Sequence, residues 1–195
     1  MQSLINQESI RRLCPVLSYL DRQGGGDKPL VIALDGRCAS GKTTVAQVLA
    51  QKLQASVIHM DDFFLPAELR TEERLSVPGG NVHYERFREE VLGRLSGRGD
   101  FTYRSFDCSK MELGEERLVK GADLYIVEGA YSTHPALGNY MQLKIFSDVE
   151  REVQLQRIRE RGGEGALKAF KERWIPMEEA YFAAYRIRET SDIMI

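Results

Sequence analysis

The chain has 195 residues, 43% of them hydrophobic and 29% charged, with a formal net charge of −2. That length suffices for one domain with a full core, and the near-balanced charge removes the long-range attraction on which nucleic-acid and anionic-membrane binders depend. A small-molecule substrate is therefore expected, with no nucleic acid and no membrane, and assembly into homo-oligomers stays open.

Cys14, Cys38 and Cys108 are an odd number without C-x-x-C spacing, which predicts neither a disulfide framework nor a zinc site and points to the reducing cytoplasm. The first residues lack the basic-then-apolar order of a secretory signal, and no apolar run approaches the ~20 residues of a membrane span.

In chain order, Leu4, Ile5, Ile10, Leu13, Val16, Leu17 and Leu20 recur near helical spacing and predict an N-terminal helix over 4–22, broken by Gly24-Gly25-Gly26. Residues 29–35 form a nearly continuous apolar run, as in a strand buried on both faces of a parallel sheet. A helix over 42–53 follows, with Val45, Val48, Leu49 and Leu53 on one side. A second strand at 55–59 leads into Met60-Asp61-Asp62-Phe63-Phe64, and a helix over 84–95 follows a proline- and glycine-bearing stretch. Strands at 123–128, 142–146 and 191–195, with helices over about 149–161 and 166–185 around Gly162-Gly163-Glu164-Gly165, complete the pattern. Five strands alternating with helices predict a single α/β domain, 1–195, with one parallel sheet covered on both faces.

Between the first long strand and its helix, Gly36, Gly41, Lys42 and Thr43 satisfy G-x-x-x-x-G-K-[ST], the loop that cradles a triphosphate. Its chemistry assigns the backbone of Gly36, Ala39, Ser40 and Gly41 to the phosphates, Lys42 to the β/γ oxygens, the Thr43 hydroxyl to Mg²⁺ and Thr44 to the α-phosphate. ATP and Mg²⁺ are the expected cofactors. Cys38 is read as a tolerated loop residue.

Asp61, Asp62 and Glu128 each follow a predicted strand, at the sheet end where open α/β folds hold ligands. Asp61 is the expected acceptor of a substrate hydroxyl's proton, with Asp62 in reserve and facing the substrate. Glu128 ends a buried strand, where a carboxylate calls for a cation, so it is expected in the Mg²⁺ shell and near the substrate. Arg157 and Arg161, one helical turn apart, are expected to close over the transferring phosphoryl group, hinged by Gly162, Gly163 and Gly165 in a lid over about 157–175, with Arg173 contributing. His83 and Tyr84 are candidates for lining the acceptor pocket, and Phe64, Tyr84 and Tyr103 for stacking on a base. His59, His83 and His134 have no ligand spacing with one another. A nucleotide-dependent switch or regulatory NTPase is the competing class. Against a GTPase, no N-K-x-D occurs and the D-x-x-G from Asp21 to Gly24 precedes the phosphate loop.

From residue 30 to 195 the chain resembles the uridine kinase and phosphoribulokinase group of P-loop kinases, most strongly at Leu34-Asp35-Gly36 through Thr44, at Asp61-Asp62-Phe63-Phe64 and at Ile126-Val127-Glu128-Gly129. The resemblance implies a P-loop NTPase fold, NMP-kinase-like with a helical lid. It also implies Asp61 as catalytic base within D-x-F-[YF], and Arg157 and Arg161 on nucleotide phosphates. It implies phosphoryl transfer to a nucleoside most readily, with a vitamin precursor or sugar phosphate as other acceptors. The group's uridine kinases carry an aspartate and a proline where this chain has Asn81 through Arg86. They also use a histidine on the pyrimidine, and its nearest counterpart here, after Tyr103, is Cys108.

Overall fold

The computed structural model describes residues 7–23, 26–108 and 110–195. Helix α1 spans Gln7–Gln23; the first residues of the predicted N-terminal helix, and Gly24 and Gly25 of the break after it, lie outside the described residues. Strand β1 (Leu30–Gly36), helix α2 (Lys42–Leu53) and strand β2 (Ser56–His59) come next, and short helices α3 (Glu72–Ser76) and α4 (Tyr84–Phe87) follow. After strands β3 (Phe101–Asp107), β4 (Glu112–Val119), β5 (Leu124–Glu128) and β6 (Leu143–Ser147), helices α5 (Arg151–Ala169) and α6 (Ile175–Tyr185) lead to β7 (Ile193–Met194).

Five strands form one parallel sheet in the order β2-β5-β1-β6-β7. The near-continuous apolar runs have a direct cause, because both faces of this sheet are covered. On one face Ile32, Leu34, Leu124 and Ile126 pack with Leu13 and Val16 of α1 and Ala46 and Leu49 of α2. On the other, Val31, Tyr125 and Val127 meet Phe63, Phe87 and Phe182. Fully burying one such side chain is worth roughly 1.5–3 kcal/mol. The sheet is thus a rigid base on which all five carboxyl ends share one edge, and the functional residues collect there. Among the described residues no helix is long and apolar enough to cross a membrane.

The sheet and its covering helices match the expected α/β architecture, but three local features differ from it. The antiparallel hairpin of β3 and β4 was not foreseen. Phe101 and Tyr103 do alternate with exposed neighbours, but the register shifts between Arg104 and Phe106, and β4 is largely charged, so neither strand shows a sustained apolar stripe. The helix expected over 84–95 is one turn of α-helix continued by a π-turn, Arg88–Leu92. The glycine break is narrower than expected: α5 runs through it, with Gly163 alone leaving helical geometry (φ 73°, ψ −171°), before a π-turn at Phe170–Trp174.

Candidate active site

Strand β1 runs directly into the phosphate loop. Gly36 has φ +131°, and a Cβ there would stand 2.1 Å from the Ser147 carbonyl oxygen, so glycine alone lets β1 and β6 close up at this point. Gly41, at φ +98°, opens α2, and Ala39 between them is also left-handed at φ 57°. That alternation of hand characterises an anion-binding nest. The N–H groups of Lys42, Thr43 and Thr44, in the first turn of α2, have no acceptor within the helix and lie at its positive end. The Ser40 side chain is buried, and among the described residues its hydroxyl has no partner. Orphaned donors of this kind are what a chain of phosphates satisfies. The Lys42 ammonium donates to the carbonyls of Gly36 (2.8 Å) and Arg37 (2.7 Å), which holds the cation beside the loop.

The loop lines a cavity of 710 Å³ that is also lined by Asp61 and Glu128. Strand register explains the meeting, since Glu128 pairs with Leu34 on one side and His59 on the other, at the sheet edge where β1 turns into the loop. The Thr43 hydroxyl stands 3.3 and 3.4 Å from the two Glu128 carboxylate oxygens. His59 Nδ1 lies 2.6 Å from Glu128 Oε1, and that hydrogen bond raises the imidazole's pKa above its ordinary value despite burial. Two hard oxygen donors at the start of α2 fit Mg²⁺, an ion that takes one or two protein oxygens and fills its shell with water and phosphate. Among the described residues no group of three His, Cys, Asp or Glu forms a protein-only cage.

Asp61 sits on a 3₁₀ turn, Met60–Phe63, that follows β2 without a break. Its side chain keeps open surface within the cavity, whose walls crowd it. Burial therefore raises its pKa; the nearby Lys42 charge opposes the rise, and Glu128 and Asp62 add to it. Asp62, next in sequence, does not line the cavity. It is buried, accepts from the Tyr103 hydroxyl at 2.8 Å and pairs with Arg117 Nε at 3.1 Å, while its carbonyl accepts from Arg86. Asp62 thus ties the β3–β4 hairpin to the turn that carries Asp61.

Arg157 and Arg161 of α5 both line the cavity. The Arg157 guanidinium donates to the carbonyls of Ala39 (3.0 Å) and Ser40 (3.4 Å), and Arg161 stands 5.9 Å from the centre of the Phe170 ring. Arg159, between them, faces outward in an exposed pair with Glu164. Of the residues expected around the acceptor, Phe64 and Glu128 line the cavity, and Asp62, His83, Tyr84 and Tyr103 do not. Tyr103 is buried on Phe63 (5.2 Å), and Tyr84 is sandwiched between the Arg74 guanidinium (3.9 Å) and His134 (5.3 Å). His83 lines a separate small recess with Arg74 and Glu85. The side-chain spacing of a short helix could not reveal these orientations, because the hairpin and the His134 loop that capture the rings come from distant sequence.

Several groups escaped the sequence reading. Asp35 is fully buried and accepts from the N–H groups of Gly36 (2.7 Å), Tyr131 (3.1 Å) and Thr133 (3.0 Å) and from the hydroxyls of Thr133 (2.6 Å) and Tyr181 (2.8 Å). It joins the loop, the segment after β5 and α6 into one unit, and a carboxylate inside the apolar run of β1 was the available signal. Glu178 accepts from the Cys38 N–H at 3.0 Å; burial raises its pKa, opposed by Lys42. Its spacing from Ile175, Tyr181 and Phe182 on the buried side of α6 was legible. Burial and Glu178 together push the Cys38 thiol up to about 12, so it stays protonated at neutral pH and is no redox thiolate. Arg70, Asn81, Tyr131 and Trp174 also line the cavity, without any motif to announce them.

The chain can now be set beside known proteins. No protein-family model matches it. It is 31% identical over 141 residues to uridine kinase-like protein 3 of Arabidopsis thaliana, covering 67% of this chain and 30% of that one. Over 149 residues it is 30% identical to uridine-cytidine kinase B of Dictyostelium discoideum, covering 69% of this chain and 60% of that one. Its fold superposes with TM-score 0.71 on a Bacillus stearothermophilus structure described as a possible uridine kinase, at 19% identity, covering 95% of this chain and 98% of that one. The chain spans about three-tenths of the length of the Arabidopsis relative. Sheet order, phosphate loop and structural likeness define an α/β protein of the P-loop NTPase fold. Within that class the chain is a uridine kinase-like protein.

Proposed function

We propose that the chain binds ATP with Mg²⁺ on its phosphate loop and transfers the γ-phosphoryl group to a hydroxyl of a small molecule. One observation carries this reading: a carboxylate, Asp61, lines the same cavity as Lys42 and the loop. A hydrolase has to orient water, whereas a kinase needs a group that accepts the proton of an incoming hydroxyl.

In this reading the acceptor oxygen, aligned by Asp61, attacks the γ-phosphorus. The bond from that phosphorus to the β–γ bridging oxygen breaks, ADP leaves with the electron pair, and the hydroxyl proton passes to Asp61. Lys42, Arg157 and Arg161 offset the charge on the phosphoryl oxygens. Thr43 and Glu128 would hold Mg²⁺, which supplies further neutralisation of the phosphates when bound. The segment over 157–175 serves as the lid, with its hinge at Gly163.

The names of the curated relatives suggest a nucleoside acceptor. A non-nucleoside acceptor is favoured by the withdrawal of His83, Tyr84 and Tyr103 from the cavity. Incubation with γ-labelled ATP and a panel of hydroxylated compounds tests the reading, which requires label in an ester product; free phosphate alone in every reaction would remove it. Asp61→Asn is expected to lower transfer by ~10² or more with ATP affinity nearly unchanged. Because only the ionised carboxylate takes the proton and burial raises its pKa, transfer should decline as pH falls through a value above the ordinary aspartate range. A pH–rate profile of Asp61→Asn should lack that limb.

A further inference from the structure

Away from the phosphate loop, the same cavity contains a charge and a dipole whose partners are incomplete among the described residues. Arg70, on the segment between β2 and α3, lines the cavity with Asp61, Phe64 and Cys108. Its Nε donates to the Leu65 carbonyl at 2.8 Å, which fixes the stem of the fork. No carboxylate neutralises the rest of the guanidinium among the described residues, and burial, with the charge of a second cation, Arg173, lowers its pKa. That residue belongs to the π-turn after α5 and stacks 4.8 Å over the ring of Trp174, which lines the cavity and faces Phe64 at 6.4 Å. Arg173 does not itself line the cavity, so at this end Arg70 presents the guanidinium, without an acid beside it among the described residues. Such an arrangement is costly unless an anion completes it.

A second, independent group points the same way. Asn81 is 2% exposed and lines the cavity, and neither its amide oxygen nor its amide nitrogen has a hydrogen-bond partner among the described residues. The Tyr131 hydroxyl is a polar neighbour, but no hydrogen bond of ordinary geometry joins the two. A buried amide with both ends unsatisfied is costly, so it marks a place where a ligand donates and accepts. Cys108 lines the cavity together with Asp61 and Arg70.

We propose that the phosphoryl acceptor carries, besides its reacting hydroxyl, an oxyanion held by Arg70, with the Asn81 amide binding the polar groups between. The substrate class is then a small hydroxylated carboxylate or phosphate ester, in place of a neutral nucleoside. This inference rests on the kinase reading of the same cavity and names its acceptor. The hydroxyl end meets Asp61, and the anionic end is kept from that carboxylate by the length of the molecule. A guanidinium fork matches carboxylate and phosphate alike, so the chemistry on the page is the oxyanion itself.

The test compares kcat/KM of the full chain, with ATP, on three sets of probes: small hydroxy acids such as glycerate, polyol phosphates such as glycerol 3-phosphate, and neutral counterparts including glycerol, ribose and uridine. One anionic set should exceed its neutral counterparts by at least tenfold, and which set does so identifies the oxyanion. Arg70→Gln should raise KM for the anionic acceptor about 10- to 100-fold and erase the preference, with KM for ATP unchanged, and Arg70→Lys, which keeps the charge without the fork, should recover part of the loss. An unchanged Tm in Arg70→Gln separates this loss from loss of fold. Efficient transfer to uridine that is undiminished in Arg70→Gln would overturn the anionic acceptor while keeping the kinase. A rise in KM for ATP in Arg70→Gln would reassign that arginine to the nucleotide and overturn it as well. Free phosphate alone from every probe removes the kinase reading, and this inference with it.

Discussion

The two ends of the cavity are built on different principles. The phosphate end comes from one stretch, Gly36 to Thr44, and its binding groups are largely backbone N–H donors held by a strand behind and a helix ahead. The end we assign to the acceptor is assembled from side chains on separate segments: Asp61 and Phe64 after β2, Arg70 before α3, Asn81 before α4 and Trp174 before α6. Backbone donors serve any triphosphate and tolerate drift in the intervening side chains. Side-chain assembly makes the acceptor end adjustable, and it depends on struts such as Asp62, which binds the β3–β4 hairpin to the turn bearing Asp61.

The contrast can be tested by removing one group from each end. The largest effect is expected from Lys42→Ala, which deletes the cation beside the loop and should abolish nucleotide turnover with every acceptor, as read by ADP release. If turnover persisted near the wild-type rate, the phosphate end would be misassigned. A smaller, one-sided effect is expected from Tyr103→Phe, which removes the hydroxyl donating to Asp62. Loss of a hydrogen bond to a charged group costs about 1.5–3 kcal/mol, and loosening of the hairpin should raise KM for the acceptor several-fold with KM for ATP unchanged. Equal rises in both constants would mean that the two ends are mechanically one.

The smallest effect concerns stability. Burial raises the pKa of Glu178 above the ordinary glutamate value of 4.5, so the native state binds its proton more tightly than the unfolded chain does. The stability this proton confers is present below about pH 4.5 and is lost as pH rises through the raised native value. Glu178→Gln keeps an acceptor for the Cys38 N–H without the charge. It should raise Tm by roughly a few degrees at pH 7–8 and leave it unchanged near pH 4. A calorimetric scan showing a lower Tm at neutral pH would mean that the pairing with Lys42 outweighs burial.

How much of this was legible in the amino-acid order depends on the range over which each feature is determined. The phosphate loop could be read because glycine spacing, a buried strand and a helix start are local requirements met by adjacent residues. Asp61 and Glu128 could be read because strand ends in a parallel sheet share an edge. Asp62 shows the limit of that logic, since it is Asp61's neighbour on the same turn and yet faces the hairpin, where Tyr103 and Arg117 capture it. Tyr84 shows it again, drawn under Arg74 and onto His134 across fifty residues of chain. The hairpin itself was hidden by the charged surface of β4.

From the order of its residues alone, this protein determined its parallel α/β sheet, its phosphate-binding loop and the carboxylates at the strand ends, because hydrophobic period, glycine conformation and strand polarity act between near neighbours. Only the tertiary structure decided which of two adjacent aspartates opens into the cavity, that Asp35 knits loop and helix together, and that Arg70, Asn81 and Trp174 meet there. Those choices turn on side-chain partners that lie far apart in the chain and become neighbours only when the core closes.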